Sequence, residues 1–183
     1  MNQAALKKNG LILLAVISVG IWALLLWQHF DSGVPSHSFM ARKDMPSISN
    51  WWGGLLLPLL TYFSLFRLEK RLFMGENRVV SPKEMQGVLG LFIAGLLYAG
   101  AIAFCSMTDK EDINGVLFPS LFLWALIFPL YRAEFFLGFV IGLTYTFGAI
   151  LPTFIASVFV ALSYIAHKFL YPLVLKIFGK KSC

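Results

Sequence analysis

The chain has 183 residues, of which 58% are hydrophobic and 13% charged, and its mean hydropathy is +0.77. That balance excludes an ordinary soluble domain and places the chain with polytopic membrane proteins. The net charge of +6 does not point to nucleic acid, because the cations fall in short segments between apolar runs and not along one basic face.

Lys7 and Lys8 precede an apolar run reaching residue 30. The run is long for a signal-peptide core, and no small-residue cleavage pattern follows at "QHFDSGVPS", so it reads as a retained first span. Five further apolar runs follow, giving 10–30, 51–66, 87–107, 115–131, 135–151 and 152–170. A helical crossing takes about 20 residues, with about 17 near the lower limit. The runs lack the alternation of barrel strands, and backbone groups in lipid must be satisfied within the segment. The expectation is an all-α, polytopic membrane helical bundle of six transmembrane helices, a single domain over 1–183. Between the spans lie an outer loop at 31–50 and a basic cytoplasmic loop at 67–86, with a basic cytoplasmic tail at 171–183.

Lys and Arg set the orientation. With six spans, one side holds Lys7, Lys8, Arg67, Lys70, Arg71, Arg78, Lys83, Arg132, Lys168, Lys176, Lys180 and Lys181, and the other only Arg42, Lys43 and Lys110. This bias predicts cytoplasmic N- and C-termini; the expected location of the multi-pass chain is a bacterial cytoplasmic (inner) membrane. It also settles how "FPLYRAEFFLGF" (128–139) is read. A single crossing over 115–151 would bury Arg132 near mid-membrane and move the C-terminal lysines outside. Arg132 and Glu134 are therefore expected at a tight cytoplasmic turn, Arg132 toward lipid phosphate and Glu134 near a helix N-terminus, which favours negative charge. An uncharged outer turn is expected near Leu151 and Pro152.

Local signals mark several ends. Ser49 or Asn50 can cap the second helix, which places Trp51 and Trp52 at headgroup level. "SPKE" at 81–84 supplies Ser81 as cap, Pro82 in the first turn and Glu84 three residues on, a capping box.

Residues with chemical potential are sparse. Pro58 interrupts the second span, and a broken helix frees carbonyls that can line a solute cavity. Thr61, with the hydroxyl cluster Thr144, Tyr145 and Thr146, is the accompanying candidate, although such hydroxyls also bond back to their own helix. In the outer loop, Arg42 and Lys43 suit an anionic group, and Asp44 lies beside them; with His37 as acid or base they would form an interfacial lipid-modifying site. His29, Asp31, His37 and Asp44 have ligand chemistry, but their spacing specifies no metal. Gly138 and Gly142 form GxxxG, and Gly90 with Ala94, Gly95 with Ala99 and Ala99 with Ala103 repeat the spacing, allowing close helix packing.

Soluble-enzyme motifs are absent, as are CxxC and other metal-type cysteine spacings, so no catalytic residue, metal or cofactor is assigned. The functional expectation is a permease-like protein, or a membrane subunit of a transport complex, handling a small solute. The alternatives are a membrane interaction or assembly protein without its own chemistry, and a lipid-modifying enzyme at the outer interface. Expected partners are membrane lipids and a membrane protein or second copy of the chain.

Overall fold

In the computed structural model, residues 1–31, 33, 36–38, 47–74, 79–108 and 110–172 are described. Six α-helices carry the fold: α1 Gln3–Asp31, α2 Gly53–Leu72, α3 Pro82–Met107, α4 Glu111–Ile127, α5 Ala133–Phe147 and α6 Ile150–Ile165, the last continuing as a π-helical turn over Ala166–Leu170. One short ladder interrupts the helical pattern. β1 Ser36–Ser38 pairs antiparallel with β2 Ser47–Ser49, with His37 opposite Ile48.

The chain is a helical membrane protein by composition and length. Three helices, α1, α3 and α6 with its π turn, are long and apolar enough to cross a bilayer. This is fewer than the six apolar runs suggest, and the difference lies at the helix ends. The run 115–131 loses its last residues to a turn in which Phe128, before Pro129, is extended (φ −107, ψ 150), as the ring of a following proline requires. The run 135–151 ends in a bend at Gly148, whose φ of +71 favours a residue without Cβ. This bend, not Leu151 and Pro152, is the turn between α5 and α6; Pro152 lies in the first turn of α6. The second helix extends past 66 to Leu72 and thus includes Arg67, Glu69, Lys70 and Arg71.

Caps follow the local sequence. Ser49 accepts from the Trp51 amide at the start of the short 3-10 turn that leads into α2. The Ser81 hydroxyl accepts from the Glu84 amide and the Glu84 carboxylate from the Ser81 amide, completing the capping box of α3.

Side-chain pairs fix the helix directions. Gln3 meets Glu69, Gly10 meets Leu65 and Gly54 meets Leu25, so α1 and α2 are antiparallel. Tyr98 meets Leu117 while Ser106 meets Asn114, which makes α3 and α4 antiparallel as well. Phe122 against Phe159 and Phe128 against Ser163 set α4 parallel to α6. The odd helices run one way and the even helices the other.

The tightest seam is between α3 and α5, which are parallel. A Cβ on Gly95 would lie 2.5 Å from the Phe135 carbonyl oxygen and one on Gly142 2.6 Å from the Ala99 Cβ, while one on Gly138 would overlap the Phe92 carbonyl. Small residues here let two backbones touch, the arrangement that replaces hydrophobic drive between helices in lipid. The core grows from this seam: Ala99, Ile102, Phe139, Val140 and Leu143 join Leu25 and Leu57 in one buried cluster. A second cluster of Leu6, Leu68, Leu72 and Val80 closes the end where α1 and α3 begin. Gly90 meets nothing within 4 Å, and Ala94 is exposed, so this pair lies off the seam.

Candidate functional site

Polar groups are concentrated at the two ends of the bundle. At the end where α2 finishes and α5 begins, the Arg71 guanidinium donates to both carboxylate oxygens of Glu134, at 2.8 and 3.2 Å. Glu134 does lie in the first turn of α5, as the sequence suggests, with Arg132 at the cap position. It is not solvated at a turn, however: its side chain is 4% exposed and is held by a charge from another helix. Planar, bidentate pairing is the strong form of this contact. Arg71 itself is 36% exposed.

Beside it, Gln3 donates to Glu69 at 2.7 Å and Lys7 approaches the same carboxylate at 3.2 Å. The Gln3 hydrogen bond, followed by Lys7, holds the Glu69 carboxyl below its ordinary value, against a partial opposing effect of burial. Met1 and Val80 exchange two hydrogen bonds, at 2.8 and 3.0 Å, and tie the start of α1 to the segment before α3. At this end Met1, Gln3, Lys7, Glu69, Arg71 and Glu134 are all engaged in contacts between segments.

The opposite end differs. Asn50 is 3% exposed; its amide nitrogen reaches Gln28 only at 3.5 Å, and its carbonyl oxygen has no partner among the described residues. Gly53, in the next turn, packs against Ala149, so Asn50 lies beside the α5–α6 bend. Thr146, in the last turn of α5, also has a buried hydroxyl without a partner, and the Asn114 carbonyl at the start of α4 is a third such atom. Asn114 donates its amide to Ser106 at 2.7 Å. Buried polar atoms are nearly always paired, so three orphans at one end form a chemically distinct layer. His29 stacks edge-on with Trp51, which also faces Trp22, and an aromatic belt thus flanks this end.

Between the ends the hydroxyls are spent locally. Thr61 donates to the Leu57 carbonyl at 2.8 Å, one turn back and beside Pro58, and Thr144 donates to Val140 at 2.7 Å. The triplet 144–146 disperses because successive helical residues point about 100° apart: Thr144 is buried, Tyr145 is exposed and Thr146 is half-buried. Ser163 donates to the Phe128 carbonyl at 3.0 Å, satisfying an acceptor at the end of α4. Arg42, Lys43 and Asp44 lie outside the described residues. Among those that are described, no group of three or more His, Cys, Asp or Glu is placed to hold a metal.

No family model, curated protein or solved structure matches the chain.

The residues that sequence reasoning overlooked are Arg71, Glu134 as a buried partner, Asn50 as an orphan acceptor, and Asn114. The six-span sequence reading expects Arg71 and Glu134 on one side of the membrane. Their pairing depends on α2 docking against α5, which no local pattern encodes. Of the two cap candidates, Ser49 and Asn50, Ser49 takes the role, and this frees the Asn50 side chain to turn inward.

Proposed function

We propose that this chain crosses a bacterial cytoplasmic membrane six times, with both termini inside, and acts as a permease-like protein or as the membrane subunit of a transport complex. Its solute is small, polar and uncharged, and is taken at the outer end of the bundle. The observation that supports this most is the unpaired Asn50 carbonyl, together with Thr146 and Asn114 at the same end. An orphaned buried acceptor costs about 1–3 kcal/mol, and a solute that brings hydroxyl or amide donors recovers it. Among the described buried side chains the one charged group is Glu134, at the other end, and the three unpaired atoms are neutral amide and hydroxyl oxygens, which suit an uncharged polar solute. The Arg71–Glu134 pair serves in this reading as the inner closure, and loop 31–50 leads directly into the solute end.

Alternation of helix direction supports six crossings, since every even helix begins at the Asn50 end. Helices α4 and α5 are short for a full crossing, and their apolar flanks complete the passage through the hydrocarbon. The assembly reading draws less support, because Gly138 and Gly142 are used inside the bundle.

A thermal-shift screen of the full chain against small polar solutes tests the proposal. A solute bound at 100 times its Kd adds about 2.7 kcal/mol of apparent stability. At least one solute is expected to raise the midpoint, and Asn50→Leu is expected to abolish that shift without lowering the baseline, because it removes an unpaired buried acceptor. A screen without any stabilising solute, or an unchanged shift in Asn50→Leu, rejects the reading.

A further inference from the structure

Between the first half of α1 and the last half of α2 lies a groove of about 560 Å³, open along one side. Its floor forms where Gly10 lets α1 approach Leu65, a Cβ on Gly10 falling 3.3 Å from that side chain. Its walls are apolar, with Leu11, Leu14, Tyr62 and Phe66, and its rim carries Lys7, Glu69 and Lys70. Volume and lining fall in the range of ligand sites.

Length and charge together identify the occupant. From Gln3 to Leu14 the α1 wall runs about 16 Å at 1.5 Å per residue. Because the apolar run of α1 starts near residue 10, the groove begins at headgroup level beside Lys7 and continues about 6 Å into the hydrocarbon, along the upper part of an acyl chain. Two lysines face one carboxylate at the rim. Lys7 is 59% exposed and shares Glu69 with Gln3, and exposed Lys70 has no ion pair among the described residues.

We propose that this groove is a site for one anionic phospholipid of the inner leaflet, its phosphate held at the rim by Lys7 and Lys70 and one acyl chain lying along Leu14 and Phe66. The proposal rests on α1 crossing the membrane with its N-terminus inside, as proposed above, and is independent of any solute at the other end. A bound lipid would brace α1 against α2, where Lys7 and Glu69 already link them.

Native mass spectrometry of the full chain in neutral detergent reads the site. Phosphatidylglycerol and phosphatidylcholine with identical chains are compared. Each lysine beside an anionic headgroup is worth about fivefold in affinity, so the first phosphatidylglycerol is expected to bind at least that much more tightly than phosphatidylcholine. Lys7→Gln with Lys70→Gln should remove the preference. Lys8→Gln with Lys83→Gln, which deletes equal charge away from the groove, should keep it. Lys70→Gln alone breaks no described contact and should cost about fivefold, so the test stays readable if the double variant folds poorly. Equal affinity for the two lipids, or equal losses in both double variants, overturns the proposal.

Discussion

Arg71 and Glu134 are unequal partners, and their inequality makes a prediction at the scale of single residues. The carboxylate is almost fully buried, whereas the guanidinium keeps a third of its side chain exposed. Arg71→Met strands a buried charge, and breaking such a pair costs roughly 3–5 kcal/mol. Glu134→Gln leaves Arg71 an acceptor and a route to headgroup or water, so about 1–2 kcal/mol is expected, the value of one weakened charged hydrogen bond. Thermal unfolding in a mild detergent should rank Arg71→Met well below Glu134→Gln. Equal losses would mean that Glu134 is not the desolvated member of the pair.

At the scale of elements, glycines with the same motif spacing have different duties. Gly138 faces the Phe92 carbonyl across the α3–α5 seam, while Gly90 on α3 faces nothing. Gly138→Ala must push two backbones apart, an overpacking cost of about 1–3 kcal/mol or more. Gly90→Ala removes helix-interior flexibility and should be neutral or stabilising, by at most about 1 kcal/mol. Unfolding midpoints of the two variants check the pair, and a harmless Gly138→Ala would contradict the seam.

The same seam shows what the sequence makes legible. Spacing of small residues is local and marks a packing face, and the capping box at Ser81 and Glu84 is equally local; both appear in the structure. Which helix each face meets is set by tertiary docking. So are the partner of Glu134 and the inward turn of Asn50. The ends of α4 and α5 were unreadable for another reason: Phe128, Leu130, Tyr131 and Ile150 are as apolar as the residues of a span, so hydropathy carried the runs through turns that Pro129 and Gly148 make.

At the scale of the whole molecule, the two ends of the bundle have different chemistry. Paired ions and the α1–α2 groove lie where α1, α3 and α5 begin, and orphaned polar oxygens lie where α2, α4 and α6 begin. This polarity has functional meaning only if the ends face opposite sides of a membrane, and α4, with 17 residues, is the helix on which that depends. Single cysteines at Lys83, Asp112 and Ala133, introduced after replacing Cys105 and Cys183, can be probed in intact cells with a membrane-impermeant maleimide. Labelling of Asp112→Cys from outside, with Lys83→Cys and Ala133→Cys reacting only after permeabilisation, is the predicted result. Labelling of Asp112→Cys and Ala133→Cys from the same side would show that α4 does not cross and would contradict the six-span, two-ended arrangement.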